Sequence, residues 1–269
     1  MLTSGLKEEK GRSLPLVANR ARLCATADKT SNGAALGKSE AEMKHSKTRW
    51  SLVLLIVLAT PLQLVSSQEL KPISLPTPVM QGGKPLMEAL ALRSTSRAFA
   101  SDALPLQTLS NLLWAADGIN RPRSGLRTAP SAMNWQETQI YVVMASGTYM
   151  YEAATNTLEP VAGGDLRPLA GEQSFVKDAP VSLVYVADAG RMKNMPENSG
   201  MRQQVEELKE SMKWADTAFI SQNVYLFAAS EGLATGVRAL IDRPALAKAL
   251  KLSDSQTITL AQSVGFPKK

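Results

Sequence analysis

The stretch WADTAFISQNVYLFAASEGLATGVRAL, Trp214 to Leu240, reads as a helix that stops and becomes a strand. It closes a long helix running from about Gln203 to Glu231, with Trp214, Ala218, Phe219, Gln222, Tyr225, Leu226 and Ala229 as its inward-facing candidates. EGLATG supplies the glycine at which the helix ends, and TGVRAL carries on as a strand. Upstream, PVSLVYVADA (Pro180 to Ala189) is apolar with almost no alternation, as in a strand buried inside a sheet.

Working outward, TQIYVVMA is a further apolar strand, and GTYMYEAATNTLEPVA is a hairpin turning near Thr155–Asn156. TITLAQSVGF closes the chain as a strand. KPLMEALALR is a short amphipathic helix, and RPALAKALKL is a helix with Pro244 in its first turn. PLQTLSNLLWAADG sets Leu106, Leu109, Leu112, Leu113 and Ala116 on one helical face, with Gly118 as the stop. An Arg-, Gly- and Pro-rich loop runs from Gly118 to Asn134. Long helices interleaved with apolar strands predict one α+β domain over 84–269, a mixed central sheet flanked by helices.

Ahead of that domain, Lys44, Lys47 and Arg49 precede the apolar run Trp50 to Ala59. Pro61 breaks the run, and small residues at Val65-Ser66-Ser67 stand before Gln68. Residues 43–67 therefore read as a secretory signal peptide, with a retained N-terminal membrane anchor as the alternative. Export to the periplasm or the extracellular space is the expected location. Residues 1–42 are a polar extension without periodicity, so Met43 is a candidate true start; a cytoplasmic tail is the other reading. Residues 68–83, rich in Pro and Gly, read as a linker.

Charge and composition narrow the chemistry. Residues 1–67 hold ten Lys/Arg and five Asp/Glu, which leaves twenty against nineteen in 68–269, so the domain has no basic field for nucleic acid. The single cysteine, Cys24, and the single histidine, His45, both precede it. Zinc sites built on Cys or His, cysteine nucleophiles and His-dependent triads are thereby excluded from 68–269. No G-x-G-x-x-G or P-loop pattern occurs, and Glu206-Glu207 reads as a solvated helix face.

Two patches remain. LRSTSRAF (Leu92 to Phe99) gathers two arginines and three hydroxyl side chains, either as an anion site or as a solvated helix end. RTAPSAMNWQ (Arg127 to Gln136) lets backbone approach a flat ligand, with Asn134 as donor and acceptor, or else is an ordinary turn. The terminal VGFPKK adds two lysines, as tail charges or as further partners for an anion.

The order of these segments resembles the nitroreductase family of flavin enzymes, and within it the SagB-type dehydrogenases. The likeness covers nearly all of 84–269. It is carried by LRSTSRAF, LSNLLWAADGINR, GLRTAPSAMNWQETQIYVV, GTYMYEAATNTLEPV, DAPVSLVYVADAGR, WADTAFISQNVYLFAASEGLATGV and SVGFP.

The resemblance implies a nitroreductase-like fold, a homodimer and bound FMN, with NAD(P)H as a candidate reductant and a small-molecule substrate. It implies that Arg93 and Arg97 bind the flavin phosphate while Ser94 and Thr95 add donors. Pro130, Ser131, Ala132 and Asn134 would reach the ring of the partner subunit's flavin. The stretch Val237 to Leu240, Ala239 and Leu240 included, would face flavin N5, and Lys268 or Lys269 would complete the phosphate pocket. Trp214 and Phe219 would lie at the centre of the dimer interface. The Pro-Trp pair that usually follows the loop's glutamine is replaced by Glu137-Thr138. Flavin carries its own redox chemistry, which suits a domain without His or Cys. A flavin-binding module without turnover, and a SagB-like dehydrogenase acting on a peptide-derived substrate, are the alternatives.

Overall fold

The computed structural model describes residues 69–193 and 202–269. The polar extension 1–42 and the signal or anchor 43–67 lie outside the described residues, as does most of the 190–201 segment.

A seven-stranded sheet carries the domain. In chain order its strands are β1 (Ile73–Ser74), β4 (Thr138–Met144), β5 (Gly147–Glu152), β6 (Thr157–Gly163), β7 (Val181–Asp188), β8 (Ala234–Arg238) and β9 (Gln256–Gly265). Their order across the sheet is β1-β6-β5-β4-β7-β9-β8, and every ladder among the described residues is antiparallel. The remaining pair, β2 (Ile119–Arg121) and β3 (Leu126–Arg127), is a small hairpin inside the segment expected to be all loop.

The missing alternation of β7 has a direct cause. β4 and β9 flank it, and helices cover both faces. Leu183 and Tyr185 pack with Ile140 and Val142 of β4 beneath α2 (Leu106–Asp117) and α3 (Arg202–Glu231). Val184 and Val186 pack on the other face against Leu246 and Leu250 of α4 (Arg243–Leu250). Both faces are dry, so both parities are apolar. The expected inward face of α2 holds at Leu109, Leu112, Leu113 and Ala116, while Leu106 is exposed. α4 carries Pro244 in its first turn, and the Asp242 side chain caps it by accepting from Ala245 N at 3.1 Å.

The inward face of α3 differs from expectation. Lys213, Asp216, Thr217, Ile220, Ser221, Val224, Tyr225 and Ala228 are buried, whereas Trp214, Ala218, Phe219 and Gln222 point outward. Polar residues take the inner face because they have partners there. Ser221 and Tyr185 both donate to Gln262 Oε1, at 2.9 and 2.7 Å, and Thr217 meets Thr259 at 3.0 Å.

Residues 69–83 also do more than connect. β1 extends the sheet beside β6, Leu75 is buried, and Ser110 and Asn156 both donate to the carbonyl of Pro76. The helix α1 (Leu86–Leu92) follows and buries only Ala89. Among the described residues no helix is long and apolar enough to cross a membrane.

Candidate functional site

The arginine–hydroxyl patch leaves α1 at Arg93, whose backbone departs from helical geometry at φ −56°, ψ 120°. The segment then runs beside β8. Ser96 N donates to Thr235 O at 2.8 Å, and a Cβ on Gly236 would sit 2.6 Å from the Ser96 carbonyl oxygen. Only glycine permits that approach. At its far end Phe99 pairs with Pro267, Ala100 N donates to Phe266 O, and Lys268 N reaches Ala98 O at 3.4 Å. The chain's last residues are thus drawn to the patch.

Tyr225 of α3 ties these pieces together. Its hydroxyl lies 3.0 Å from Thr95 Oγ1 and accepts from Val237 N at 3.0 Å. The Arg93 guanidinium stands over its ring at 5.5 Å. Arg93, Ser94, Thr95, Arg97 and Lys268 are exposed. Neither arginine is held in an ion pair among the described residues. Beyond Val237 and the buried Arg238, Ala239 and Leu240 are exposed as well. Seven of the expected site residues therefore share one rim, built from the end of α1, the end of β8 and the last residues of the chain.

Such a rim fits a phosphate monoester. Guanidinium groups without carboxylate partners among the described residues offer charge-assisted donors, and the hydroxyls of Ser94 and Thr95 belong to the same segment. The donor set therefore matches the phosphate end of a flavin mononucleotide.

The other four residues lie elsewhere. Pro130, Ser131, Ala132 and Asn134 form a corner with a 3-10 turn, Ala132–Asn134, leading into β4. Ala132 N donates to Asp216 Oδ2 of α3 at 2.8 Å. Nine helical steps of α3 take Asp216 to Tyr225, roughly 13 Å along a helix. Within one chain the two groups are thus apart. Met133, Asn134 and Gln136 all take left-handed φ, at 47°, 53° and 48°. Several bonds hold that strained path. Ser131 Oγ accepts from Gln136 N at 2.9 Å, Gln136 Nε2 donates to Asn134 Oδ1 at 2.9 Å, and Trp135 Nε1 donates to Lys193 O at 2.7 Å.

Beneath the corner lie acids whose role the sequence did not reveal. Glu137 is fully buried and accepts from Ser131 Oγ at 3.0 Å. Asp117 is also buried and paired with Arg127 at 2.8 Å. Burial pushes Asp117 up to about 7 despite the pull of Arg127. Burial, and then the charge of Asp216, raise Glu137 to about 7. A cavity of about 10 Å³, lined among others by Asp117, Ser131, Glu137 and Asp216, is close to the size of one water. Two signals were available in the sequence: the Glu137-Thr138 departure, and an aspartate inside the apolar run WADTAF.

The comparisons with known proteins agree with this geometry. The family model "Nitroreductase family" matches residues 90–266. A nitroreductase-like protein of Methanocaldococcus jannaschii is 31% identical over 160 residues, covering 56% of this chain and 76% of its own length. The crystal structure of a nitroreductase-like protein from Ralstonia eutropha JMP134 superposes with a TM-score of 0.68 at 38% identity, covering 74% of this chain and 91% of that one. An NADPH:FMN oxidoreductase from Vibrio harveyi, solved with NAD+, shares the fold at a TM-score of 0.50 and 17% identity, covering 68% of this chain and 69% of its own. A match over so much of the domain, joined to an α+β sheet with this cationic rim, makes the chain a member of the nitroreductase family.

Proposed function

We propose that the protein is an FMN-dependent oxidoreductase working as a homodimer on a small-molecule acceptor, with NAD(P)H as candidate reductant. The observation that carries the reading is the rim around Tyr225, where the Arg93 guanidinium stands over the ring, the segment bearing exposed Arg97 is bonded through Ala98 O to the backbone of Lys268, and none of the three is in an ion pair among the described residues. Arg93 and Arg97 hold the phosphate, Ser94 and Thr95 add donors, and the exposed backbone at Ala239 and Leu240 faces the ring. Pro130, Ser131, Ala132 and Asn134 cover the ring bound to the second copy. When bound, the flavin supplies hydride exchange through N5, so the chain's own task is to bind, orient and exclude water.

The dimer is supported by apolar surface on the side of α3 turned away from the sheet. Phe219 is 48% exposed there, Leu86 and Met87 of α1 are exposed as well, and Trp214, 38% exposed, stands under the Arg243 guanidinium of α4 at 5.8 Å. A groove of about 470 Å³ between α1, α2 and α3, lined by Leu86, Trp114 and Phe227 among others, adds shape to that surface.

Purified protein should be yellow, NADPH should bleach it, and a nitroarene or quinone should restore the colour. The double variant Arg93→Ala/Arg97→Ala should lose the chromophore. A colourless wild type that takes up no flavin when incubated with FMN would defeat the reading. Bound flavin that no donor reduces would favour the module without turnover, and turnover confined to a peptide substrate would favour the SagB-like dehydrogenase.

A further inference from the structure

Glu137 and Asp216 are packed together under the Ser131–Ala132 corner in a way that ordinary ionised carboxylates do not tolerate. Glu137 Oε2 accepts from the Ser131 hydroxyl at 3.0 Å, while Glu137 Oε1 is buried with no donor among the described residues. Asp216, also buried, spends Oδ2 on the amide of Ala132 at 2.8 Å. The two carboxyl groups line the same cavity of about 10 Å³ and hold adjacent residues of the corner, Ser131 and Ala132.

The surrounding charges do not relieve them. Arg127 of β3 is engaged by Asp117, at the end of α2, and by Gln136. Arg191, after β7, donates to Gln136 O at 3.1 Å. Lys213, one turn earlier on α3, pairs with Glu210 at 2.6 Å. Thr138 and Thr217 are the neutral neighbours, 3.5 Å apart. Among the described residues no group of three His, Cys, Asp or Glu side chains could hold a metal ion, so a cation is not the answer the geometry offers.

One proton resolves both difficulties. Placed on Glu137 Oε1, it turns the orphan acceptor into a donor to Asp216 and removes one of two facing negative charges. We propose that Glu137 and Asp216 share a single proton, and that this acid pair is the positioning element fixing the corner that receives the flavin ring. The role at the ring rests on the flavin reading above; the shared proton does not. Burial raises the proton affinity of Glu137 into the neutral range, so the pair empties near pH 7. Two bare carboxylates then repel across the junction of α3 with the start of β4. The corner, already bent through three left-handed residues, loses the contacts that over-determine it.

The test uses the full chain as wild type, Glu137→Gln and Glu137→Ala. Glutamine keeps a donor toward Asp216 and an acceptor for Ser131 but cannot ionise. FMN affinity is titrated by fluorescence quenching across the neutral range, and each dissociation constant is divided by that of Glu137→Gln at the same pH. The ratio cancels ionisation of the ligand phosphate, whose second pKa is about 6. The wild-type ratio should rise by up to about tenfold per pH unit above neutrality. Glu137→Ala should bind weakly at every pH. Infrared difference spectra of the flavin-free protein should show a protonated carboxylic acid carbonyl band that Glu137→Gln lacks.

A ratio that is flat with pH overturns the positioning role, and an infrared band unchanged by Glu137→Gln overturns the shared proton. A wild type that takes up no FMN at any pH defeats the flavin reading together with the positioning role, and the infrared band then decides the proton alone.

Discussion

Tyr225→Phe removes one oxygen atom and should loosen the whole cationic rim. That hydroxyl accepts from Val237 N in β8 and meets Thr95 Oγ1, both at 3.0 Å, while its ring stays under Arg93 in either variant. Thr95 is exposed and can turn to water, so its lost bond costs little. Val237 is half-buried on an edge strand, and its amide is left without a partner. An orphaned buried donor costs about 1–3 kcal/mol, and partial access to water puts this one near 1. For a domain of this size that is a fall of about 2–4 °C in melting temperature. Thr95 also loses its anchor, and re-ordering one residue's backbone on binding costs about 1–2 kcal/mol. FMN affinity should therefore fall by about five- to thirtyfold. Equilibrium titration with FMN and a thermal melt of the flavin-free protein measure the two effects separately. Wild-type affinity together with a wild-type melting temperature would refute the view that Tyr225 links α3, β8 and the arginine segment.

Two further outcomes follow, one at the same rim and one at the buried acids. Gly236→Ala puts a Cβ 2.6 Å from the carbonyl oxygen of Ser96, so β8 and the Arg93–Arg97 segment must part. We expect a loss of about 1–3 kcal/mol in urea unfolding, typical of overpacking, with faster hydrogen exchange at the Ser96 amide; unchanged exchange would count against it. Asp117 is raised from 3.8 to about 7 by burial, so the folded state binds its proton more tightly than the unfolded chain. Stability from this group is full below pH 3.8 and is lost as pH rises through about 7, with a slope of up to ~1.4 kcal/mol per pH unit. Asp117→Asn should remove that part of the slope in a pH series of urea melts, and an unaltered slope would show that Arg127 keeps the carboxyl ionised.

Much of the architecture was legible in the chain because its main strands and helices carry strong patterns. The unbroken apolar run of β7, the leucine face of α2 and the glycine stop of α3 each have one simple physical cause. The inward face of α3 was not legible. Hydrophobicity picked Trp214, Ala218 and Phe219, yet these lie outside, while Asp216, Thr217 and Ser221 lie inside. Period alone cannot tell a helix side that meets a sheet from one left for another surface. The inner side here is polar because Gln262, Thr259 and the Ser131–Ala132 corner satisfy it. β1 and the β2–β3 hairpin escaped because two or three residues carry too little periodicity to register. For the site, residue types marked the arginine rim but not Tyr225, whose position reads as core. Glu137 registered only as a departure, since its meaning depends on Asp216, far along the chain.

The sheet order has a practical corollary. β1 forms one border of the sheet and β8 the other, with six inter-strand steps between them, or roughly 29 Å at ~4.8 Å each. A tag, surface linkage or fusion partner joined just ahead of Glu69 would thus depart from the border remote from Tyr225. Immobilised by that end, the molecule would present its arginine rim to bulk solution.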